Sequence, residues 1–95
     1  MVFKIIHYDV VDSTFQVARN LQNVEEYTTI VAKRQLKGKG RFGREWFSPI
    51  GGLWFTTILY PRTPVYTYSL LSLLSSLSVS KTLEKMTKLK PKIIW

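Results

Sequence analysis

The most informative stretch of this chain is Gly38-Lys39-Gly40-Arg41-Phe42-Gly43-Arg44-Glu45-Trp46. Three glycines alternate with basic residues in it, and a tryptophan closes it. Glycine lets backbone N–H groups approach a ligand closely, and arginine can hold a phosphate or carboxylate through two parallel hydrogen bonds. The stretch, which we call the glycine loop, therefore predicts a segment that folds around a small anion.

Segments rich in apolar and β-branched residues lie on both sides of the glycine loop. Residues 29–35 precede it and residues 53–60 follow it, and both are predicted to be strands. Gly51 and Gly52 are predicted to turn the chain into the second of these strands. Residues 3–10 have a similar composition and are predicted to be the first strand of the chain.

The sequence also predicts two helices. Ser13 and Gln16 have the spacing of a capping box, so a short helix is expected to begin there. Residues 68–86 are expected to form a long helix, because leucines recur at i, i+3, i+4 and i+7, namely Leu70, Leu73, Leu74 and Leu77. With a last apolar piece at residues 92–95, the order β-α-β-β-α-β predicts an α+β domain with a mixed or antiparallel sheet and helices packed on one side.

The last apolar piece, residues 92–95, has the composition of a strand that stops part-way, with no turn or cap after it. We therefore expect residues 1–95 to be a single truncated domain whose C-terminal part is absent. Such a fragment would leave sheet edges uncovered, and open edges pair with other chains. A dimer or a higher oligomer is the expected state.

The charge of the chain is strongly basic. Fourteen Lys and Arg residues against six Asp and Glu residues give a net charge of +8 and a pI near 10.0. Five of the basic residues lie between residues 33 and 41, so they coincide with the glycine loop. A positive excess fits nucleic acid, an anionic membrane or an acidic partner, and composition alone does not choose among them.

The sequence excludes or disfavours several kinds of site and two kinds of segment, a membrane span and a signal peptide. The absence of cysteine excludes disulfides, thiolate catalysis and cysteine-based zinc sites. His7 is the single histidine and has no second ligand at suitable spacing, so no metal site is expected. Residues 63–80 carry no charge, but six serines between residues 69 and 80 argue against a membrane span, which needs about 20 predominantly apolar residues. The N-terminus lacks the long apolar region of a signal peptide, and a cytoplasmic location is expected.

Each residue of interest also has an ordinary structural explanation. Ser13 would serve as a helix cap more often than as a ligand, and both roles can hold together. Gln35, at a strand end, would usually be an exposed polar side chain, and Trp46 and Trp54 would usually be packing residues. The glycines also fit the dinucleotide pattern GxGxxG, but a tryptophan and a strand follow them where that pattern requires a helix.

The chain resembles the N-terminal part of the catalytic domain of biotin protein ligases of an archaeal type. Four features agree with that family in their order and spacing. Asp12-Ser13-Thr14 is similar to the Ser-Thr-Asn motif at a helix start, and residues 31–35 to the strand that ends in a biotin-contacting glutamine. The glycine loop is similar to the family's adenylate loop, and the sequence Ser-Pro-Ile-Gly-Gly-Leu-Trp follows it at residues 48–54. Residues 92–95 resemble the start of a Lys-Trp-Pro-Asn-Asp motif, so the resemblance covers essentially all of the chain.

The resemblance implies a two-step reaction. Biotin and ATP, with Mg²⁺, give biotinyl-5′-adenylate and pyrophosphate, and the acyl group then passes to a lysine of a biotin carboxyl carrier protein. It implies that biotin is bound by six residues: Ser13, Thr14, Gln35, Gly38, Gly40 and Arg41. The adenylate or ATP loop would comprise Lys39, Gly43, Arg44 and Trp46.

The resemblance also implies roles for three individual residues of the glycine loop, Arg41, Arg44 and Trp46. Arg41, with the N–H groups of Gly38 and Gly40, would hold the carboxylate and then the α-phosphate, which is an electrostatic catalytic role. Arg44 would serve the triphosphate or fix the loop, and Trp46 would pack against biotin or adenine.

The chain departs from the family's pattern in several places. Phe15 stands where an asparagine is expected, and Lys39 stands where the loop's first arginine is expected. Lysine keeps the charge but loses the planar fork. The family's Pro-Asn-Asp continuation, the segment with its essential lysine and its small C-terminal domain have no counterpart here, so weak or absent ligase activity is expected of this chain alone.

Three functions stay open from the sequence. The first is a biotin protein ligase fragment, and the second is a remnant that binds biotin or its adenylate without turnover. The third is a basic nucleic-acid-binding domain unrelated to biotin, which the four ordered motifs disfavour. Salt-sensitive binding to any polyanion would favour the third function.

Overall fold

The computed structural model describes residues 3–93, without the side chain of Arg41. The chain divides into two compact units, Met1–Tyr60 and Pro61–Trp95. The first unit contains the sheet and the glycine loop, and the second contains the long helix.

The first unit is built on a sheet of three strands in the order β1-β2-β3. These are β1 (Lys4–Val11), β2 (Thr28–Gln35) and β3 (Trp54–Thr57). β1 pairs with β2 in parallel, and β2 pairs with β3 in antiparallel orientation. The predicted α+β class with a mixed sheet is therefore confirmed.

A short helix, α1 (Thr14–Asn20), connects β1 to β2 and packs on β2 and β3. Its N-cap is Ser13, whose hydroxyl accepts a hydrogen bond from the Gln16 backbone N–H at 2.9 Å. A side-chain oxygen at this position satisfies one of the four N–H groups that lack a partner at a helix start. The predicted helix start at Ser13 is confirmed.

The buried core of the first unit is small and lies mainly on one face of β2. Ile30 and Ala32 point to the same face, because strand residues alternate in direction, and both are buried together with Val11 at the end of β1. Among the described residues, three polar ones are also buried: Thr14, Thr28 and Ser48. Val17 and Ala18 of α1, and Leu21 at its C-terminal cap, are only partly buried.

The pairing of β1 with β2 continues past the ends of both strands. The Leu36 N–H donates to the Val11 carbonyl at 2.9 Å, and the Lys37 N–H donates to the Asp12 carbonyl at 2.7 Å. These two bonds keep the start of the glycine loop beside the start of α1. Two motifs that are far apart in the sequence therefore meet at one edge of the sheet.

The third strand is shorter than predicted, since β3 covers residues 54–57 rather than residues 53–60. Backbone bonds between Ile58 and Thr28 and between Tyr27 and Ile58 still hold this segment at 2.8 Å. Tyr27 adopts a left-handed conformation with φ of 68°, which breaks the regular ladder at that point. The chain therefore stays close to β2 after the regular strand has ended.

The second unit contains a short 3-10 turn (Val65–Thr67) and the long helix α2 (Tyr68–Thr87). The predicted helix is confirmed to within one residue. It ends at Lys88, which has a left-handed φ of 62° and donates its N–H to the Glu84 carbonyl at 2.7 Å. The four leucines of the predicted apolar stripe, Leu70, Leu73, Leu74 and Leu77, are all exposed.

The predicted strand at residues 92–95 lies partly outside the described residues. Lys92 and Ile93 are described and belong to no regular element, whereas Ile94 and Trp95 lie outside. No helix within residues 3–93 is long and apolar enough to cross a membrane.

Candidate functional site

A cavity of about 750 Å³ opens where α1 begins, β2 ends and the glycine loop returns to the sheet. Seven of the ten residues assigned to the site from sequence line it: Ser13, Thr14, Gln35, Lys39, Gly40, Gly43 and Trp46. They come from three segments of the chain that the β1–β2 pairing brings together. The structure thus brings most of the predicted site residues to one place.

Gln35 is held from both sides by hydrogen bonds. Its Oε1 accepts from the Thr14 backbone N–H at 2.8 Å, and its Nε2 donates to the Ser48 hydroxyl at 3.1 Å. The Ser48 hydroxyl in turn donates to the Trp46 carbonyl at 2.9 Å. The side chain is therefore not the free polar group expected at an exposed strand end.

Thr14 is 3% exposed and makes a second contact across the sheet. Its hydroxyl lies 2.8 Å from the hydroxyl of Thr56 on β3, and either oxygen can be the donor. Because Thr14 N–H is one of the N–H groups left without a partner at the start of α1, its bond to Gln35 fixes the helix to the end of β2. One residue thus joins α1 to two strands.

The glycine loop forms a narrow hairpin-like finger. The Trp46 N–H donates to the Gly38 carbonyl at 2.7 Å, and the Gly40 N–H donates to the Arg44 carbonyl at 2.6 Å. The chain reverses in a 3-10 turn, Arg41–Gly43, in which Phe42 and Gly43 have φ values of 60° and 72°. Because the Gly40 N–H bonds within the finger, it is not free to bind an anion in this conformation.

Gly38 is buried at the base of the finger, and the surrounding atoms leave no room for a side chain. A Cβ built there would lie 2.6 Å from the Trp46 carbonyl oxygen and 2.9 Å from Gln35 Nε2, and it would also strike the Ser48 hydroxyl. The glycine is required here by close packing rather than by a positive φ. Gly38 therefore supports the cavity from behind, whereas Gly40 and Gly43 line it.

The cavity is electropositive because basic side chains outnumber acidic ones in its wall. Arg19, Lys37 and Lys39 contribute positive charge, and Asp12 contributes negative charge. Arg44, in contrast, is exposed and does not line the cavity among the described residues. A site with this balance of charge favours an anionic ligand.

A model of the biotin/lipoate A/B protein ligase family matches residues 8–94 of the chain. The chain belongs to this family. The bifunctional ligase/repressor BirA of Bacillus subtilis is 35% identical over 94 residues, which make up 96% of this chain and 29% of that protein. The predicted resemblance to biotin protein ligases is confirmed.

Solved structures of biotin protein ligases have the same fold over this region. The enzyme from Aquifex aeolicus in complex with biotin and ATP matches with a TM-score of 0.81 and 38% identity, over 97% of this chain and 39% of that one. The enzyme from Leishmania major in complex with biotinyl-5-AMP matches with a TM-score of 0.76 and 28% identity, over 87% and 35% of the two chains. The chain spans less than half the length of these ligases.

Two departures from the ligase pattern lie in the cavity wall. Phe15 is 59% exposed, and the Arg19 guanidinium lies 5.9 Å from the centre of its ring. Lys39 is also exposed and forms a β-bridge with Glu45 across the finger. Phe15 is therefore a cavity residue rather than a core residue of α1.

Sequence reasoning missed four residues that take part in this ligase-like site. Ser48 and Thr56 bond to Gln35 and Thr14, and Arg19 and Lys37 add charge to the wall. Thr56 could have been found from strand alternation, since Trp54 and Thr56 share one face of β3. Ser48 begins the Ser-Pro-Ile-Gly-Gly-Leu-Trp segment quoted for the resemblance, but no role was assigned to it, because its partner Gln35 lies 13 residues away.

Trp54 combines packing with a role in shaping this wall. Its indole N–H donates to the Pro49 carbonyl at 2.8 Å, and its ring lies against Gly52. The ring therefore stabilises the turn between Ser48 and β3 by contacting both Pro49 and Gly52. The expected packing role of Trp54 is seen, and its side chain also lines the cavity.

Proposed function

We propose that the cavity binds biotin and, with ATP, the biotinyl-5′-adenylate. One observation carries this proposal: the Gln35–Thr14 hydrogen bond lies beside the glycine loop in an electropositive cavity. The relatives named above bind biotin with ATP and biotinyl-5-AMP, which supports the same ligands here. An apolar ring system with a carboxylate end suits a cavity that has aromatic and basic side chains in its wall.

The proposed roles follow the ligase resemblance and, for Ser13, Thr14, Gln35 and Gly40, their place in the cavity wall. Ser13, Thr14 and Gln35 supply hydrogen-bonding groups for biotin, and Gly38 keeps them in place from behind. Gly40 and Arg41 are proposed to face the carboxylate and the α-phosphate, with Arg41 in an electrostatic catalytic role. Since the Gly40 N–H bonds to Arg44 here, its contact with an anion would require the finger to rearrange.

The nucleotide is proposed to bind at the finger. Lys39, Gly43 and Trp46 line the cavity on that side, and Trp46 would pack against biotin or adenine. Arg44 is exposed outside the cavity wall, which favours a role in holding the triphosphate or the loop over a contact with biotin. Mg²⁺ would enter with ATP through the phosphates.

We propose the complete two-step reaction only for chains as long as those of the relatives. Transfer of the biotinyl group to a lysine of a biotin carboxyl carrier protein would follow adenylation there. This chain covers 29% of the curated relative, and by itself we propose that it adenylates biotin weakly or not at all. It would act as the biotin- and nucleotide-binding part of a ligase, associated as a dimer in the cytoplasm.

Calorimetric titration of biotin into the purified chain, with and without ATP, tests the binding proposal. Saturable binding that is lost in Arg41→Ala supports it. The matched control is Arg34→Ala, which removes the same charge from an exposed residue outside the cavity wall and should bind as the unmodified chain does. Absence of heat with either ligand would overturn the proposal, and exchange of labelled pyrophosphate into ATP separates binding from adenylation.

A further inference from the structure

We infer that Ser48 is a positioning residue that, together with the Thr14 backbone N–H, holds the orientation of the Gln35 carboxamide, and through it the preference of the site for a ureido group. The inference has two halves, and the second, the preference for a ureido group, rests on the proposed binding of biotin. The first half, the orientation of Gln35, concerns only groups in this chain. Ser48 belongs to none of the residues that the ligase resemblance assigned to the site.

The contacts of the carboxamide define its orientation chemically. The Thr14 backbone N–H can only donate, so the atom that faces it at 2.8 Å must be the acceptor, Oε1. On the other side the Ser48 hydroxyl gives its proton to the Trp46 carbonyl at 2.9 Å. Its oxygen is therefore left as an acceptor, which suits the Nε2 donor of Gln35 at 3.1 Å. Both sides of the amide favour the same orientation.

Burial and close packing fix the position of Ser48. Ser48 is 2% exposed, so its contact with Nε2 is shielded from solvent on that side. Gly38 packs against the same group, since a Cβ there would strike the Ser48 hydroxyl. The Ser48 backbone is fixed as well, because its carbonyl accepts from the Gln35 N–H at 2.9 Å. Ser48 is thus fixed beside the residue whose side chain it orients.

The orientation leaves a defined set of hydrogen-bonding groups for a ligand. A carboxamide has two N–H donors and two acceptor lone pairs, and Thr14 and Ser48 take one of each. One donor and one acceptor are left over. A ureido group, with C=O beside N–H, is complementary to that pair. If the amide rotated by half a turn, the donor and the acceptor would exchange places.

Side-chain amide NMR tests the first half without any ligand. The Gln35 NH₂ resonances should be displaced from those of Gln22, an exposed glutamine in the same chain, and should show a through-space contact to the Ser48 β-protons. In Ser48→Ala they should move towards the Gln22 positions. Unchanged Gln35 resonances in Ser48→Ala would overturn the inference. Ser76→Ala is the matched control, since Ser76 is a half-buried serine whose hydroxyl donates to the Ser72 carbonyl of its own helix.

Biotin titration tests the second half. Ser48→Ala should weaken biotin binding by about fivefold to tenfold, as the loss of one net hydrogen bond predicts. It should also reduce the preference for biotin over 2-iminobiotin, in which an imino group replaces the ureido oxygen. In a Gln35→Ala background the Ser48→Ala change should have little further effect, because the serine acts through the glutamine.

The outcomes separate this inference from the proposed function. If the unmodified chain binds no biotin, the proposed function fails, and the NMR comparison alone decides whether Ser48 orients Gln35. If the unmodified chain binds biotin but Ser48→Ala keeps the same affinity and the same preference, the inference fails while the proposed function stands. Fully additive losses in the double variant would also overturn it.

Discussion

The Thr14 backbone N–H donates a hydrogen bond to Gln35 Oε1 across 2.8 Å, although 21 residues separate the two in sequence. This bond connects the start of α1 to the end of β2. It satisfies a donor that the helix itself cannot satisfy. The stability of the first unit and the shape of the cavity therefore depend on the same side chain.

Replacing Gln35 with alanine should lower the free energy of unfolding by about 1–3 kcal/mol, because the buried Thr14 N–H would lose its acceptor. Urea unfolding followed by circular dichroism measures this change. Gln22→Ala removes the same side chain from an exposed position and should change stability by less than about 0.5 kcal/mol. Equal effects of the two substitutions would contradict the role given to the Thr14–Gln35 bond.

Gly38→Ala should destabilise the base of the finger by about 1–3 kcal/mol, as overpacking does in other buried sites. The added methyl group would lie 2.6 Å from the Trp46 carbonyl oxygen. Gly40→Ala is the matched comparison, since its nearest neighbour would be the Trp46 ring at 3.5 Å, an ordinary contact. Thermal unfolding should rank Gly38→Ala well below Gly40→Ala, and the reverse order would refute the close-packing argument.

Ser13→Ala should cost about 0.5–2 kcal/mol, because Gln16 N–H would lose the side-chain acceptor that caps α1. Ser13→Asn retains a capping oxygen and should recover most of that stability. If Ser13 also contacts biotin, the asparagine variant would be stable yet weak in binding. Comparing unfolding with biotin titration for the two variants separates the capping role from the ligand role.

Arg19→Ala should weaken ATP binding by about twofold to fivefold at low salt, the range of a single exposed charge contact. Arg19 lines the cavity and lies over the exposed ring of Phe15. The loss should shrink as salt is raised, since screening reduces interactions between exposed charges. Arg34→Ala serves as the control, and an equal loss in that variant would indicate a general charge effect instead.

Self-association is expected because apolar side chains on β1 are exposed and β1 is at the edge of the described sheet. Ile5 is 57% exposed, and lysine at such a position opposes edge pairing. Ile5→Lys should therefore lower the average mass measured by light scattering at high concentration. If the unmodified chain stays monomeric at every concentration, this expectation is contradicted.

Much of the fold could be predicted because its signals are local. The Ser13 cap depends on a residue three positions away, and α2 depends on the spacing of leucines along one helix. The strands β1 and β2 follow from short apolar segments. The predicted extent of β3 was wrong because the left-handed Tyr27 lies just before the partner strand β2, where no signal within residues 53–60 could reveal it.

The sequence by itself determined which residues can bind, cap and turn, since these properties belong to the side chains and their nearest neighbours. It indicated the glycine loop, the Ser13–Thr14 helix start and Gln35. Only the tertiary structure decided that Gln35 is shared between Thr14 and Ser48, that Gly38 supports the cavity rather than lining it, and that Arg44 lies outside its wall. The physical reason is that the β1–β2 pairing and the return of the finger bring these groups within hydrogen-bonding distance, and a hydrogen bond depends on position in space rather than in sequence.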